Sequence, residues 1–480
     1  MLETSARDEG DRLLQDFERF DALRDRFAGV LLGSAVADAL GWPTEFIRSK
    51  AQLARLHGVD EVRDFIPWEK VTGGRFNSYI DYIQPGDYSD DTQLTLSTAR
   101  SIRPDGSFDG EYFAKRELPN WLAYARGAGA TVTRAAKAAS RRQAMWNNNF
   151  FVYESKGRKS SYVDAGANGA AMRISPLALA NRGDEAMMTC AAWENTIVTH
   201  GHPRAIWGAL VYAKAVHTLI NNQATDQKDF VDALGDFVAS LNLETLSDSV
   251  QKWIRTWQEH SGSSFPTPFE ETRSEMKLLL SRACSLDTPL RDLYEQMGCF
   301  DPSTKGSGTA TVAAAIGVFM RHGGNYEKAV MGAVNMLGSD TDTIAAMVGG
   351  LVCARKGQMA IPDRWANAMQ DYGYFLRVTD ALARIALREA MGNDLYVDHN
   401  QDQYETRDVV SLSSDRAIHE GQRVTHSLFG LGWVQSVNSQ QIKRRGGGTM
   451  LLAKTIFDSG QSCVFRSYKP AGKRTNTKRM

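Results

Sequence analysis

From residue 11 to residue 392 the apolar positions recur with the spacing of helices, not the alternation of strands. Ile206–Ile220 (IWGALVYAKAVHTLI), Phe230–Leu241 and Ala310–Arg321 are rich in Ala, Leu, Met and Val, which predicts a compact all-α domain. The pair Gly349-Gly350 suits two helices that approach closely. One stretch breaks the pattern. Trp146–Tyr162 (WNNNFFVYESKGRKSSY) is polar, aromatic and aperiodic, and reads as a long loop of the kind that often carries function. From Asn393 to about Glu420 the chain turns polar, as linkers do. Beyond it, Gln422–Val437 and Leu451–Val464 alternate apolar and polar residues around glycine turns, which predicts strands and a small C-terminal β-barrel.

Charge sharpens this division. The 480 residues hold 56 Lys+Arg and 56 Asp+Glu, so the net charge is zero. Residues 421–480 nevertheless hold 11 of the basic residues and a single acid, Asp458, so an acidic body carries a basic end. The five cysteines are scattered without CxxC spacing, which argues against a disulfide framework or a zinc site and fits a reducing cytosol. The N-terminus lacks the basic and apolar regions of a signal peptide, and no apolar run reaches the length of a membrane span. The expectation is a cytoplasmic protein with no membrane association.

Two acidic clusters are the candidate chemistry. Ser89-Asp90-Asp91-Thr92 stands before the helical run QLTLSTARSI, and Ser339-Asp340-Thr341-Asp342-Thr343 before IAAMVGGLVCA. Carboxylates suit helix N-termini, and one aspartate there is ordinarily a cap. A cap needs one oxygen, however, and each cluster offers two aspartates beside hydroxyls. Such crowding of like charge costs energy unless a cation neutralises it. Oxygen ligands without His or Cys select a hard ion such as Mg²⁺ or Mn²⁺.

Several blocks in order, RFAGVLLGSAVADALGWPTEF, YSDDTQLTL, GANGAAMRISPLAL, THGHPRA, GSDTDTIAAMVGGL and IPDRW, resemble the ADP-ribosylglycohydrolase superfamily over residues 26–392. That resemblance implies an all-α orthogonal helical bundle and a hydrolase that cuts an ADP-ribosyl bond with two Mg²⁺ or Mn²⁺ ions. It implies metal ligation by Ser89, Asp90, Asp91, Asp340, Asp342 and Thr343. Ser89 stands where the family commonly has Thr, and Ser339 where Gly is usual. Glu45 becomes a carboxylate that manages a proton on the water or the leaving group. Asp342 is grouped with it as catalytic, as is Asp164, which is offset by one residue from the acid of some arginine-type hydrolases. Asp38 reads as a buried carboxylate supporting the site.

For the substrate, Gly127 and Gly129 precede an Ala-rich helix whose free N–H groups suit a pyrophosphate, or they form only a turn. Asn168, Gly169 and Arg173 lie where glycine admits close approach, and His200 of Thr-His-Gly-His-Pro is assigned to the pocket. Trp146, Phe150, Phe151 and Tyr153 either stack on the adenine or pack the loop down.

The domain boundaries follow: an N-terminal extension 1–25, the hydrolase domain 26–392, a linker 393–420, a barrel 421–470 and a basic tail 471–480. RVTHSLFGLGWVQSV resembles the small Tudor/SH3-like barrels of UvrD-type helicases through Val424, His426, Phe429, Gly430, Gly432 and Val434. That resemblance makes His426 structural and implies a protein or nucleic-acid partner, so the barrel is expected to supply location, not chemistry. Three function classes stay open. The substrate is an ADP-ribosylated macromolecule, with protein arginine favoured as acceptor; or it is a free ADP-ribose derivative or an ADP-ribosylated nucleic acid; or the chain is a non-catalytic ADP-ribose binder.

Overall fold

The computed structural model describes residues 2–73, 78–155, 158–222, 226–388, 418–442 and 447–470, with side chains from residue 20 onward. Most of the expected linker and the basic tail 471–480 lie outside the described residues. Contacts divide the chain into two units: Met1–Ile66, Gly86–Pro119 and Ala125–Tyr396 form one, and Pro67–Pro85, Asn120–Tyr124 and Val397–Met480 the other.

The first unit is mainly helical. Six helices carry the site or its core: α1 (Leu2–Gly41), α2 (Asp90–Arg100), α3 (Ala130–Ala139), α4 (Pro203–Ile220), α5 (Gly308–His322) and α6 (Thr341–Lys356). Along α4, α5 and α6 nearly every residue is buried. Their sequences lack a polar stripe, and a helix apolar all round has no face to give to water. They form the centre. α1 packs along α6, and a Cβ added at Gly349 would stand 2.2 Å from Gly33 O. Only glycine admits helix backbones this close.

Some of the charged groups buried in this unit are paired. Arg100, at the end of α2, meets Glu117 in a two-pronged ion pair, Nε to Oε1 and Nη2 to Oε2, both at 2.8 Å. Both side chains are shut off from water, and Arg100 also donates to Tyr374 Oη at 3.1 Å. The 146–162 segment is not wholly a loop. It contains an antiparallel hairpin, Val152–Ser155 with Arg158–Ser161, whose strands are too short and too polar for alternation to reveal. No helix among the described residues is long and apolar enough to cross a membrane.

In the second unit the C-terminal strands run antiparallel in sequence order: Arg423–His426, Gly430–Gln441, Gly448–Phe457 and Ser462–Pro470. We number them β5 to β8, after the hairpin strands β1 (Trp68–Thr72), β2 (Tyr79–Ile83), β3 (Val152–Ser155) and β4 (Arg158–Ser161). The hairpin β1–β2 falls in a region that helical periodicity predicts to be strand-free. It joins this unit by burying Tyr79 with Ile442, Met450 and Leu452. His426 is buried and stacks on Phe429 at 4.5 Å, a packing role.

Removing one half of a buried ion pair strands the other charge. Glu117→Ala is therefore expected to cost about 3–5 kcal/mol of stability. Thermal or urea unfolding measures it, and a loss below about 1 kcal/mol, the ceiling for most exposed pairs, would show that Arg100 is compensated by other groups.

Candidate active site

The cleft is assembled where α1 ends and α6 begins. Thr44, just after α1, has its Oγ1 2.8 Å from Gly41 O and 2.9 Å from Val334 O, and donates its one hydrogen to one or the other. It lies 3.0 Å from Thr341 Oγ1, which also donates to Gly41 O at 3.1 Å. This hydroxyl lattice fastens the Trp42–Thr44 turn to the first residue of α6. Glu45 follows that turn, and Asp340 and Asp342 flank Thr341. One oxygen from each of Glu45, Asp340 and Asp342 lies within 4.8 Å of the others.

Asp90 and Asp91 open α2 and line the same cleft. Their turn is held from beneath by Asp38, whose Oδ2 accepts from Ser89 N at 3.1 Å, Thr92 N at 3.2 Å and Thr92 Oγ1 at 2.6 Å. Asp38 is the supporting carboxylate that its place near the end of α1 suggested. Burial pushes its carboxyl up to about 6 against those hydrogen bonds.

Like charge dominates the electrostatics. Burial first, then Asp38, Asp90 and Asp340, raise the Asp91 carboxyl well above its ordinary range. Burial first, then Glu45, Asp340 and Asp91, do the same to Asp342. Asp91 Oδ1 is buried and makes no hydrogen bond among the described residues. All-oxygen donors and crowded negative charge fit a hard divalent cation.

The cleft has a cavity volume of about 130 Å³. Opposite the carboxylates it is lined by Gly127, Gly129, Ala130 and Thr131, and by Asn168, Gly169 and His200. Gly127 has φ +82°, and a Cβ there would stand 2.7 Å from Asp90 Oδ1, so this position needs glycine on both counts. Gly129 is the N-cap of α3 and gives no side-chain cap, which leaves the first N–H groups of the helix free to meet an anion. Asn168 Nδ2 donates to Asp340 Oδ2 at 2.7 Å and to Thr311 Oγ1 at 3.1 Å, linking this wall to the acidic one.

His200 is wholly buried. Desolvation, with the nearby Arg173 charge, lowers its ring to about 3, so the imidazole is neutral at working pH. Arg173 Nη2 donates to Thr199 Oγ1 at 2.8 Å, and that hydroxyl lies 2.7 Å from His200 Nδ1. With the Thr199 hydrogen directed to Nδ1, the ring proton sits on Nε2, which has no partner among the described residues. In that tautomer His200 Nε2 is a donor; with Nδ1–H donating to Thr199 Oγ1 and that hydroxyl turned to Thr196 O, Nε2 is an acceptor.

Three expected site residues do not line the cleft. Ser89 lies beneath it, its Oγ accepting from Asp91 N at 3.2 Å as the cap of α2. Arg173 is fully buried, donating to Gly169 O at 2.7 Å and to Asn195 Oδ1 at 2.8 Å, so it braces the Asn168-Gly169 turn from behind. Asp164 accepts from Ser161 N and Oγ at 2.9 and 2.8 Å, closing a local turn. Phe150 stacks on His260 at 4.2 Å and Phe151 meets Tyr162 edge-on; the Tyr153 side chain lies outside the described residues. Val132 and Met172 also line the cleft, and nothing in the sequence marked them, because ordinary core residues carry no chemical signature.

A model of the ADP-ribosylglycohydrolase family matches residues 20–395. The chain belongs to this family. Among its relatives is the ADP-ribosyl-[dinitrogen reductase] glycohydrolase of Rhodospirillum rubrum, 31% identical over 202 residues, which cover 42% of this chain and 60% of that protein. An uncharacterized protein of Archaeoglobus fulgidus is 27% identical over 76% of this chain and 98% of its own length. The ADP-ribosylarginine hydrolase Tri1 of Pseudomonas putida is 24% identical over 72% of this chain and 74% of its own. Family membership suggests a hydrolase acting on ADP-ribosyl bonds.

Crowded carboxylates make a specific stability signature. Asp342→Asn removes a charge that burial and three neighbours oppose, so the ion-free variant is expected to melt as high as the parent chain or a few degrees higher. The parent chain should gain melting temperature with millimolar Mn²⁺, by mass action on the folded state, and the variant should gain little. An ion-free variant that melts well below the parent would contradict this account of the site.

Proposed function

We propose that this chain hydrolyses an ADP-ribosyl bond on a modified macromolecule, with arginine the favoured acceptor, using two Mg²⁺ or Mn²⁺ ions. The observation that carries the reading is the meeting of Glu45, Asp340 and Asp342 with Asp90 and Asp91 in one cleft, opposite the free start of α3. Asp90, Asp91, Asp340, Asp342 and Thr343 would hold the ions, with Ser89 acting from beneath. Bound there, such ions supply Lewis acidity and a water of lowered pKa.

The chain's own groups do the rest. The α3 N–H groups and the flanking Gly127 and Gly129 backbone receive the pyrophosphate. Asn168 and His200 Nε2 orient the ribose. The anomeric carbon gains positive charge as its bond breaks, and the surrounding carboxylates stabilise it. Glu45 is the proton-handling group, since it joins Asp340 and Asp342 in the cluster from a separate turn of the chain. Arg173 and Asp164 act as supports, each through the turn it holds. The basic excess of residues 421–480, with Leu431 and Trp433 exposed on β6, supports an acidic macromolecular partner for the C-terminal strands, as the helicase-like resemblance implies.

The test is release of ADP-ribose from a panel: ADP-ribosylated arginine, serine and nucleic-acid substrates and a free ADP-ribose ester, each with Mn²⁺, Mg²⁺ or excess EDTA. Hydrolysis of the arginine conjugate that stops in EDTA is expected. Glu45→Gln should cut kcat about 100-fold or more while leaving ADP-ribose affinity within a few-fold, as loss of proton transfer does. Full activity in EDTA would overturn the metal assignment, and release from none of the panel would leave ADP-ribose binding as the function.

A further inference from the structure

Two short pieces of the second unit come from the middle of the chain, and each runs directly into cleft sequence. β2 ends at Ile83, six residues before Ser89. Tyr124 ends the other piece, three residues before Gly127. The C-terminal strands grip both. Arg466, on β8, donates from Nη1 to Tyr79 Oη at 3.0 Å, from Nη2 to Leu122 O at 3.3 Å and from its backbone N–H to Ala123 O at 3.3 Å. One residue thus holds both pieces. The Tyr124 ring stands edge-on to Phe429 and Phe465, with centroids 5.5 and 5.9 Å away. The Gln440 amide accepts from Ile80 N at 2.8 Å and donates to Ile80 O at 2.7 Å, as a neighbouring strand's backbone would.

The same two lengths of chain meet again inside the helical unit. Arg126 Nη1 pairs with Asp87 Oδ2 at 2.7 Å, both side chains buried, and Arg126 N–H donates to Gln93 Oε1 at 3.1 Å. Asp87 is two residues before Ser89, and Arg126 is the residue before Gly127. Each connection is therefore tied at both ends. The residues that follow are ones a free chain would not hold: adjacent aspartates that repel, and a glycine at positive φ against Asp90. Geometry of that kind needs support from beyond the residues that form it.

We propose that the C-terminal sheet is a positioning element for the cleft, with Arg466 its principal positioning residue, setting the segments that carry Asp90, Asp91 and Gly127–Ala130. This departs from a C-terminal piece concerned only with partner choice. It rests on the proposed function in one respect, that these segments bind ion and substrate.

The test uses the full-length chain with Arg466→Ala and Arg466→Lys, read by hydrogen–deuterium exchange without added ion and by calorimetric titration of Mn²⁺. Arg466→Ala is expected to quicken exchange at residues 86–93 and 125–132 while α4, α5 and α6 keep the parent rate. Its Mn²⁺ affinity should fall about tenfold, the usual penalty for losing support behind a metal site. Arg466→Lys should lie between, because it keeps the charge without the fork. Equal quickening everywhere would make Arg466 a general stabiliser and overturn the proposal; so would unchanged exchange and unchanged affinity. A parent chain that binds no Mn²⁺ would sink the metal assignment alone, and the exchange pattern would still decide this inference.

Discussion

The site depends on how closely α1 and α6 lie together. Their backbones touch where Gly349 meets Gly33, and the Thr44 and Thr341 hydroxyls bind the end of one helix to the start of the other. That contact turns residues about 300 positions apart in the chain into neighbours, Glu45 beside Asp340 and Asp342. A bulkier residue at position 33 or 349 would part the helices, and with them the two sources of carboxylate. The Ala- and Gly-rich character of these segments is thus part of the chemistry as well as of the packing.

Once the carboxylates are gathered, the surrounding structure is arranged to tolerate them. Asp38 spends both its burial and its hydrogen bonds on the Ser89–Thr92 turn, and Asn168 ties Asp340 to the opposite wall. Arg173, a full positive charge buried nearby, is turned away from the cleft and occupied by Gly169, Asn195 and Thr199. Had it faced the carboxylates it would have neutralised them. Its orientation leaves the carboxylates without its charge, and that charge, after desolvation, helps keep the His200 ring neutral. Arg100–Glu117, with its charges matched, thus contrasts with the cleft, where carboxylates are crowded against one another.

The second unit has a different logic. Its sheet is small, and its interior is made partly from residues that arrive from elsewhere in the chain: Tyr79 from the β1–β2 hairpin and Tyr124 from the segment after Trp121. A four-stranded sheet of this length gains apolar area by recruiting such pieces, which a free-standing module of its size would lack. The consequence is that the chain passes between the units several times, and two of those passages border the acidic motif and the glycine turn.

Much of this was written in the sequence. Helical periodicity named the helices of the first unit, because burial on a helix repeats at a fixed spacing whatever the tertiary context. Paired aspartates beside hydroxyls marked the acidic clusters as candidate chemistry, and the fold brings the two clusters into one cleft. The alternation after residue 421 named the C-terminal strands for the same local reason. Tertiary structure alone decided the rest. Ser89 and Arg173 carry the right chemistry, yet they support the cleft from below and behind, since direction of approach is set by packing and not by residue type. The hairpin at 68–83 escaped notice because five-residue strands carry little periodic signal and are stabilised by partners some 360 residues away. Arg466 is one of 11 basic residues in 421–480, and its neighbours in sequence do not set it apart. Its three bonds to Tyr79, Leu122 and Ala123 exist only because the fold returns the chain's end to its middle, and no local pattern encodes that return.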